Sequence, residues 1–173
     1  MTNVKLPKVL DPYKSAQKRS SYKGVYVATD MPRLSDSVAS IVSDILVNVE
    51  FAKDAQGLTY FQGNAEVTVE LICQRCNEGF SQEIEVEFCF SPVQGDEQAE
   101  LLPDAYEPIE VNDHGEIDLL QMLEDELILA LPIVALHAEE DCKVKSQDMQ
   151  FGEIPSEQER ENPFAVLKEL KRD

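Results

Sequence analysis

Cys73 and Cys76 lie three residues apart in the run CQRCNEG, and no other residues come as close to specifying chemistry by type and spacing. A C-x-x-C turn aims two thiolates into one half of a tetrahedral site, and a following residue such as Asn77 tolerates the left-handed backbone the turn needs. That is the knuckle of a zinc ribbon. A structural zinc needs four ligands, and the second half on offer is His137 with Cys142, spaced H-x4-C. The spacing is looser than a second C-x-x-C, and Ala138-Glu139-Glu140-Asp141 makes no knuckle of its own. The residues therefore favour a plain turn and no cofactor, with zinc on Cys73, Cys76, His137 and Cys142 as the alternative. A redox dithiol would need a helix start after the motif to lower its pKa, and Asn77-Glu78-Gly79 favours a turn instead. Cys89 has the opposite parity from Phe88 and Phe90 and reads as a bystander thiol.

The elements that must position this turn are two alternating segments. Val67, Val69 and Leu71 recur at period two before it, and Ile84, Val86, Phe88 and Phe90 after it, with glutamates between. The pattern predicts a hairpin with one apolar and one wet face. Ile45, Val47, Val49 and Phe51 predict an earlier strand, turned at Lys53 to Gly57 into a strand from Leu58 to Ile72, so that three strands form an antiparallel meander. Gly63 predicts a bulge in the second of them. Asp11-Pro12 starts a short basic helix, Tyr22 to Val27 a strand with Gly24 at a bulge or close approach, and Pro32 to Val38 a turn or short helix.

Residues 91 to 115 form a long acidic connection, with a helical turn at Asp96 to Leu102 and a short strand at Ile109 to Val111. Asp118 then caps the clearest helix of the chain. Leu119, Leu120, Leu123, Leu127 and Leu131 recur on one face up to Pro132, and Glu124, Asp125 and Glu126 take the outward side. The expected fold is α+β: an antiparallel β meander covered by one long amphipathic helix, with short N- and C-terminal helices. It reads as a single domain over residues 1–173, with a flexible loop at 139–161 and a C-terminal helix at 162–173.

Charge narrows the function classes. The formal net charge is −19, and it is unevenly spread. Met1 to Arg33 carries seven basic residues against two acidic ones, whereas Asp54 to Glu161 carries four basic against 27 acidic. A body this acidic repels phosphates and attracts basic proteins. The partner surface expected from it comprises Asp96, Glu97, Glu107, Glu110 and Glu116 of the acidic connection, with Glu124 and Asp125 of the helix. The rival surface is basic: Lys5, Lys8, Lys14, Lys18, Arg19 and Lys23 would grip RNA. Enzyme signatures such as GxSxG, HExxH, GxGxxG and GxxxxGK[ST] are absent, and His114 and His137 are the only histidines. No catalytic residue is assigned. No apolar h-region or membrane-length apolar run occurs, so a cytoplasmic protein is expected.

The stretches KLPKVLDP, YKGVY, CQRC, the long run from Phe90 to Pro132 and NPFAVLKELK resemble the YceD family of large ribosomal RNA subunit accumulation proteins, in its gammaproteobacterial type. CxRC and Glu124 to Pro132 are the most specific parts, and the likeness spans nearly the whole chain. The resemblance implies a bacterial cytosolic factor supporting synthesis, processing or stability of 23S ribosomal RNA, with no catalytic residues. Wider members carry a C-x-x-C-G segment after the helix that would complete a four-thiol site. Here KVKSQDMQFG replaces it, leaving Cys142. The expected partner is a basic protein of ribosome assembly or ribosomal RNA processing.

Overall fold

Strict alternation over three consecutive segments builds the centre of the structure, a computed structural model that describes residues 4–145 and Gly152. By chain contacts the protein divides into two units, residues 1–137 and 138–173. In chain order the elements are strand β1 (Val9–Leu10), helix α1 (Pro12–Gln17), strand β2 (Ser21–Tyr26), a 3-10 turn (Ala28–Asp30) and helix α2 (Pro32–Ser37). There follow strands β3 (Ser40–Ile41), β4 (Ile45–Lys53), β5 (Thr59–Ile72) and β6 (Gly79–Val93), then helix α3 (Asp96–Ala99), strands β7 (Glu107–Glu110) and β8 (Ile117–Asp118), and helix α4 (Leu119–Leu129). All lie in the first unit.

The main sheet has the order β2-β4-β5-β6-β7, with β3 also paired to β5. β4, β5 and β6 form the expected antiparallel meander. The expected α+β architecture, an antiparallel sheet under one long helix, is overturned. The sheet is mixed, because β7 pairs with β6 in parallel, Phe90 opposite Glu107 through Val93 opposite Glu110. Lengths explain why one helix does not cover it. The 11 residues of α4 span roughly 16 Å at 1.5 Å each, whereas the 15 of β6 extend roughly 50 Å at 3.3 Å each. Cover is shared. Leu6, Leu10, Ala16 and Leu34, from the amino-terminal segment, α1 and α2, join Leu119, Leu123 and Leu127 of α4 in the same buried cluster as Val69, Val86 and Phe88.

Along β4 the buried residues are Ile45, Val47, Val49 and Phe51, as their alternation requires. Phe51, Phe61 and Phe90 stack across three neighbouring strands, with ring centroids 5.0 and 5.8 Å apart. Gly63 does not make the predicted bulge: the ladder runs without interruption, Val49 and Phe88 standing opposite it. Its role is steric. A Cβ there would collide with the carbonyl oxygen of Asn48. Gly24 does mark a close approach, since the Val4 carbonyl oxygen lies against it and accepts from the Val25 N–H at 3.0 Å.

The helix starts follow their caps. Asp11 accepts from the Lys14 N–H at 2.9 Å with Pro12 at the first helical position, and Asp118 accepts from the Gln121 N–H at 2.8 Å. Among the described residues no helix is long and apolar enough to cross a membrane. Apart from residues 139–145 and Gly152, the loop expected over 139–161 and the helix expected over 162–173 fall outside the described residues.

Candidate functional site

The C-x-x-C turn occupies the tip of the β5–β6 hairpin, where Ile72 pairs with Gly79. Six residues must reverse the chain there, and two backbone hydrogen bonds define the reversal: Asn77 N–H to the Cys73 carbonyl and Cys73 N–H to the Glu78 carbonyl, both 2.8 Å. Asn77 has φ of 61°, the left-handed conformation expected of it. The segment after α4 returns across this tip. Gln74 donates its N–H to the Ala135 carbonyl at 2.8 Å, and Arg75 Nη2 donates to the His137 carbonyl at 3.2 Å. The Phe80 ring lies 5.4 Å from the His137 ring.

Within the first unit the fold brings together Cys73, Cys76 and His137, each proposed from the sequence as a metal ligand. The Sγ atoms of Cys73 and Cys76 and a ring nitrogen of His137 lie within 4.8 Å of one another. Cys76 Sγ is 3.8 Å from His137 Nε2 and 4.0 Å from Nδ1. Cys73 is fully buried. Burial pushes its thiol pKa up, but backbone N–H groups of Cys76, His137 and Arg75 that point at the sulfur outweigh this and bring it down to about 6. Cys142, the remaining sequence candidate, falls in the second unit, where its N–H donates to the Glu139 carbonyl at 3.3 Å. Cys89 stands apart; burial, then the Glu107 carboxylate, raise its pKa and keep it a thiol.

The acidic candidates divide differently. Asp96, Glu97, Glu107 and Glu110 are exposed, and Glu116 and Asp125 half-buried. Glu124 corrects the expectation of an outward-facing side chain. It is 5% exposed and accepts from the backbone N–H groups of Arg33 (2.7 Å) and Leu34 (3.1 Å) and from Arg33 Nε (3.0 Å). A carboxylate so engaged holds α2 against α4 and is removed from any partner surface. Asp125 shares the same arginine at 2.6 Å.

Two hollows gather acids that the sequence leaves scattered. One, of about 660 Å³, opens on the wet face of the sheet, with Glu50, Glu87, Asp104 and Glu107 among its lining. The other, about 320 Å³, lies beside α4 and includes Glu110, Asp118, Asp125 and Glu126. Among the described residues no lysine or arginine lines either. Burial, then Glu107 and Asp125, push the Glu126 carboxyl above its ordinary value, as expected where like charges crowd. Glu50, Glu87 and Asp104 were missed by the linear reading. The parity of Glu50 and Glu87 did assign them to the wet face, but no local signal marks the loop carrying Asp104 as folding beside them.

The basic candidates are partly committed within the fold. Lys5 and Lys8 reach the two oxygens of Asp30, at 2.9 and 2.8 Å, and Lys14 pairs with Asp11 at 2.9 Å. Lys18, Arg19 and Lys23 are exposed and form no salt bridge among the described residues.

Comparison with known proteins agrees with the resemblance read from the sequence. The profile of the family described as "Large ribosomal RNA subunit accumulation protein YceD" matches residues 61–171. The protein of that name from Haemophilus influenzae is 49% identical over 173 residues, covering 99% of each chain. No solved structure matches the chain.

Proposed function

The chain belongs to the YceD family, and from that premise we propose that it supports accumulation of the large ribosomal RNA subunit as a non-catalytic cytoplasmic factor, acting by binding a basic protein segment. The name of its Haemophilus influenzae relative supports the first half of this reading. The hollow bounded by Glu50, Glu87, Asp104 and Glu107 carries the second.

Four carboxylates around one groove, with no basic residue among its described lining, make a field of a single sign, which raises the association rate of a cationic partner and disfavours a polyanion. Between Asp54 and His137 the sequence has 19 acids and one basic residue, Arg75. Direct capture of ribosomal RNA by this face would place phosphate against carboxylate. A lysine- or arginine-rich segment, such as the tails of ribosomal proteins or of enzymes that process their RNA, has the opposite charge and fits an open groove. Gln62 in its lining offers an amide group to the backbone of an extended chain, beside Asn48, whose Nδ2 donates to Asn64 Oδ1 at 3.0 Å.

The test is affinity purification at moderate salt, comparing wild type with the combined variant Glu87→Gln, Asp104→Asn and Glu107→Gln. Loss of basic protein partners from the variant is expected. Recovery of the same partners from both would refute the groove, and RNA recovered without protein, dependent on Lys18, Arg19 and Lys23, would favour the basic amino-terminal face.

A further inference from the structure

We infer that Cys73, Cys76 and His137 form the core of a structural zinc site that fastens the chain after α4 to the tip of the β5–β6 hairpin. The inference stands independently of the acidic groove.

Three observations carry it. The first is convergence: two sulfurs and an imidazole nitrogen from sequence positions about sixty residues apart lie within 4.8 Å of one another. In a tetrahedral zinc centre, with bonds of about 2.3 Å to sulfur and 2.0–2.1 Å to nitrogen, ligand atoms stand about 3.5–3.8 Å apart. Cys76 and His137 are already at 3.8 Å. Side-chain rotation of about 1 Å would close the rest. The second is the turn itself, whose left-handed Asn77 and tight backbone bond from the Asn77 N–H to the Cys73 carbonyl present both thiols on one side of the hairpin tip. The third is the second layer of contacts. Gln74 and Arg75, the residues between the cysteines, hold the Ala135 and His137 carbonyls, so the histidine is delivered by the same turn that presents the thiols.

Soft thiolates with an imidazole select zinc over calcium or magnesium. Catalytic dithiol chemistry fits poorly, because the turn leads into β6 and no helix follows whose dipole would favour thiolate attack. A closed structural site takes one ligand beyond these three.

The experiment uses the full chain purified without a histidine tag, under reducing conditions, with bound metal measured by mass spectrometry. One zinc per chain is expected, with stoichiometric binding lost in Cys73→Ser and in Cys76→Ser. Because a variant could fail to fold, wild type is also stripped and reloaded with cobalt(II) alone. Intense visible bands of tetrahedral cobalt with thiolate-to-metal charge transfer are expected. Failure of the stripped chain to take up one cobalt(II), an octahedral cobalt spectrum, or a Cys73–Cys76 disulfide in protein isolated from cells would each overturn the site.

Discussion

Glu124 Oε2 meets Arg33 Nε at 3.0 Å, while Oε1 of the same carboxylate accepts the backbone N–H groups of Arg33 and Leu34. One buried side chain of α4 thus supplies the capping acceptor that the start of α2 lacks, since Met31 at that cap makes no side-chain hydrogen bond. Replacing it orphans two N–H groups. Glu124→Leu is expected to cost about 1–3 kcal/mol, whereas Asp125→Asn, at a more exposed contact to the same arginine, stays within about 1 kcal/mol. Urea unfolding midpoints of the two variants decide it; equal effects would show that the cap contributes little.

Gly63 is expected to resist the smallest substitution. A Cβ there would strike the Asn48 carbonyl, and the Phe88 ring lies 3.0 Å from the same point. Backbone cannot swing aside as a side chain does, so Gly63→Ala is expected to lose about 1–3 kcal/mol through overpacking. Gly57→Ala provides the contrast: nothing lies within 4 Å there and only its φ of 88° resists. Thermal unfolding of both separates crowding from backbone strain.

Acid is expected to loosen the amino-terminal segment before the sheet. Hydrogen bonds from Lys8, then Lys5, hold the Asp30 carboxyl down at about 2. A pKa depressed on folding contributes stability that is present above the unfolded value, about 3.9, and lost as pH falls through that value towards 2. Asp30→Asn should therefore flatten the acid limb of the stability curve in that window and leave neutral-pH sheet content unchanged. Hydrogen exchange at Val25, whose N–H bonds to Val4, reports the segment directly.

Neutralising the groove is expected to change association and not folding. Glu87, Asp104 and Glu107 are exposed, so their amide variants should stay within about 0.5 kcal/mol of wild type in stability. The association rate with a basic partner peptide should fall, and its dependence on salt should weaken with each charge removed. Stopped-flow measurement at two ionic strengths checks both; an unchanged salt dependence would place the contact elsewhere.

Removal of metal is expected to release the hairpin tip selectively. A zinc that binds only the folded chain adds its binding free energy to stability. A strong chelator should lower the thermal midpoint by about 2–4 °C for each kcal/mol lost. Exchange protection should fall at Gln74, which donates to Ala135, and persist at the centre of β5. A uniform loss along the strand would argue that the chelator acts on the whole fold.

Much of this molecule is local in origin. Period-two alternation located β4, β5 and β6, Asp11 and Asp118 announced their helices through short-range caps, and CQRCNEG specified its own turn down to the left-handed Asn77. These features depend on residues a few positions apart, so the linear chain contains them. The acidic balance and the family likeness are equally properties of the sequence.

Tertiary structure decided what depends on distant partners. The parallel pairing of β7 with β6 made the sheet mixed, and it set Glu107 beside Glu87 and Glu50 in one groove. Glu124 reads as an outward residue on the helix by its neighbours, yet α2 docks there and buries it. His137 gained its place beside Cys76 because Gln74 and Arg75 hold the carbonyls of a segment some sixty residues on. Each of these contacts closes a long loop whose entropic cost rises only slowly with its length. Packing and hydrogen bonding at the far end chose among the closures, and spacing along the chain carries no record of that choice.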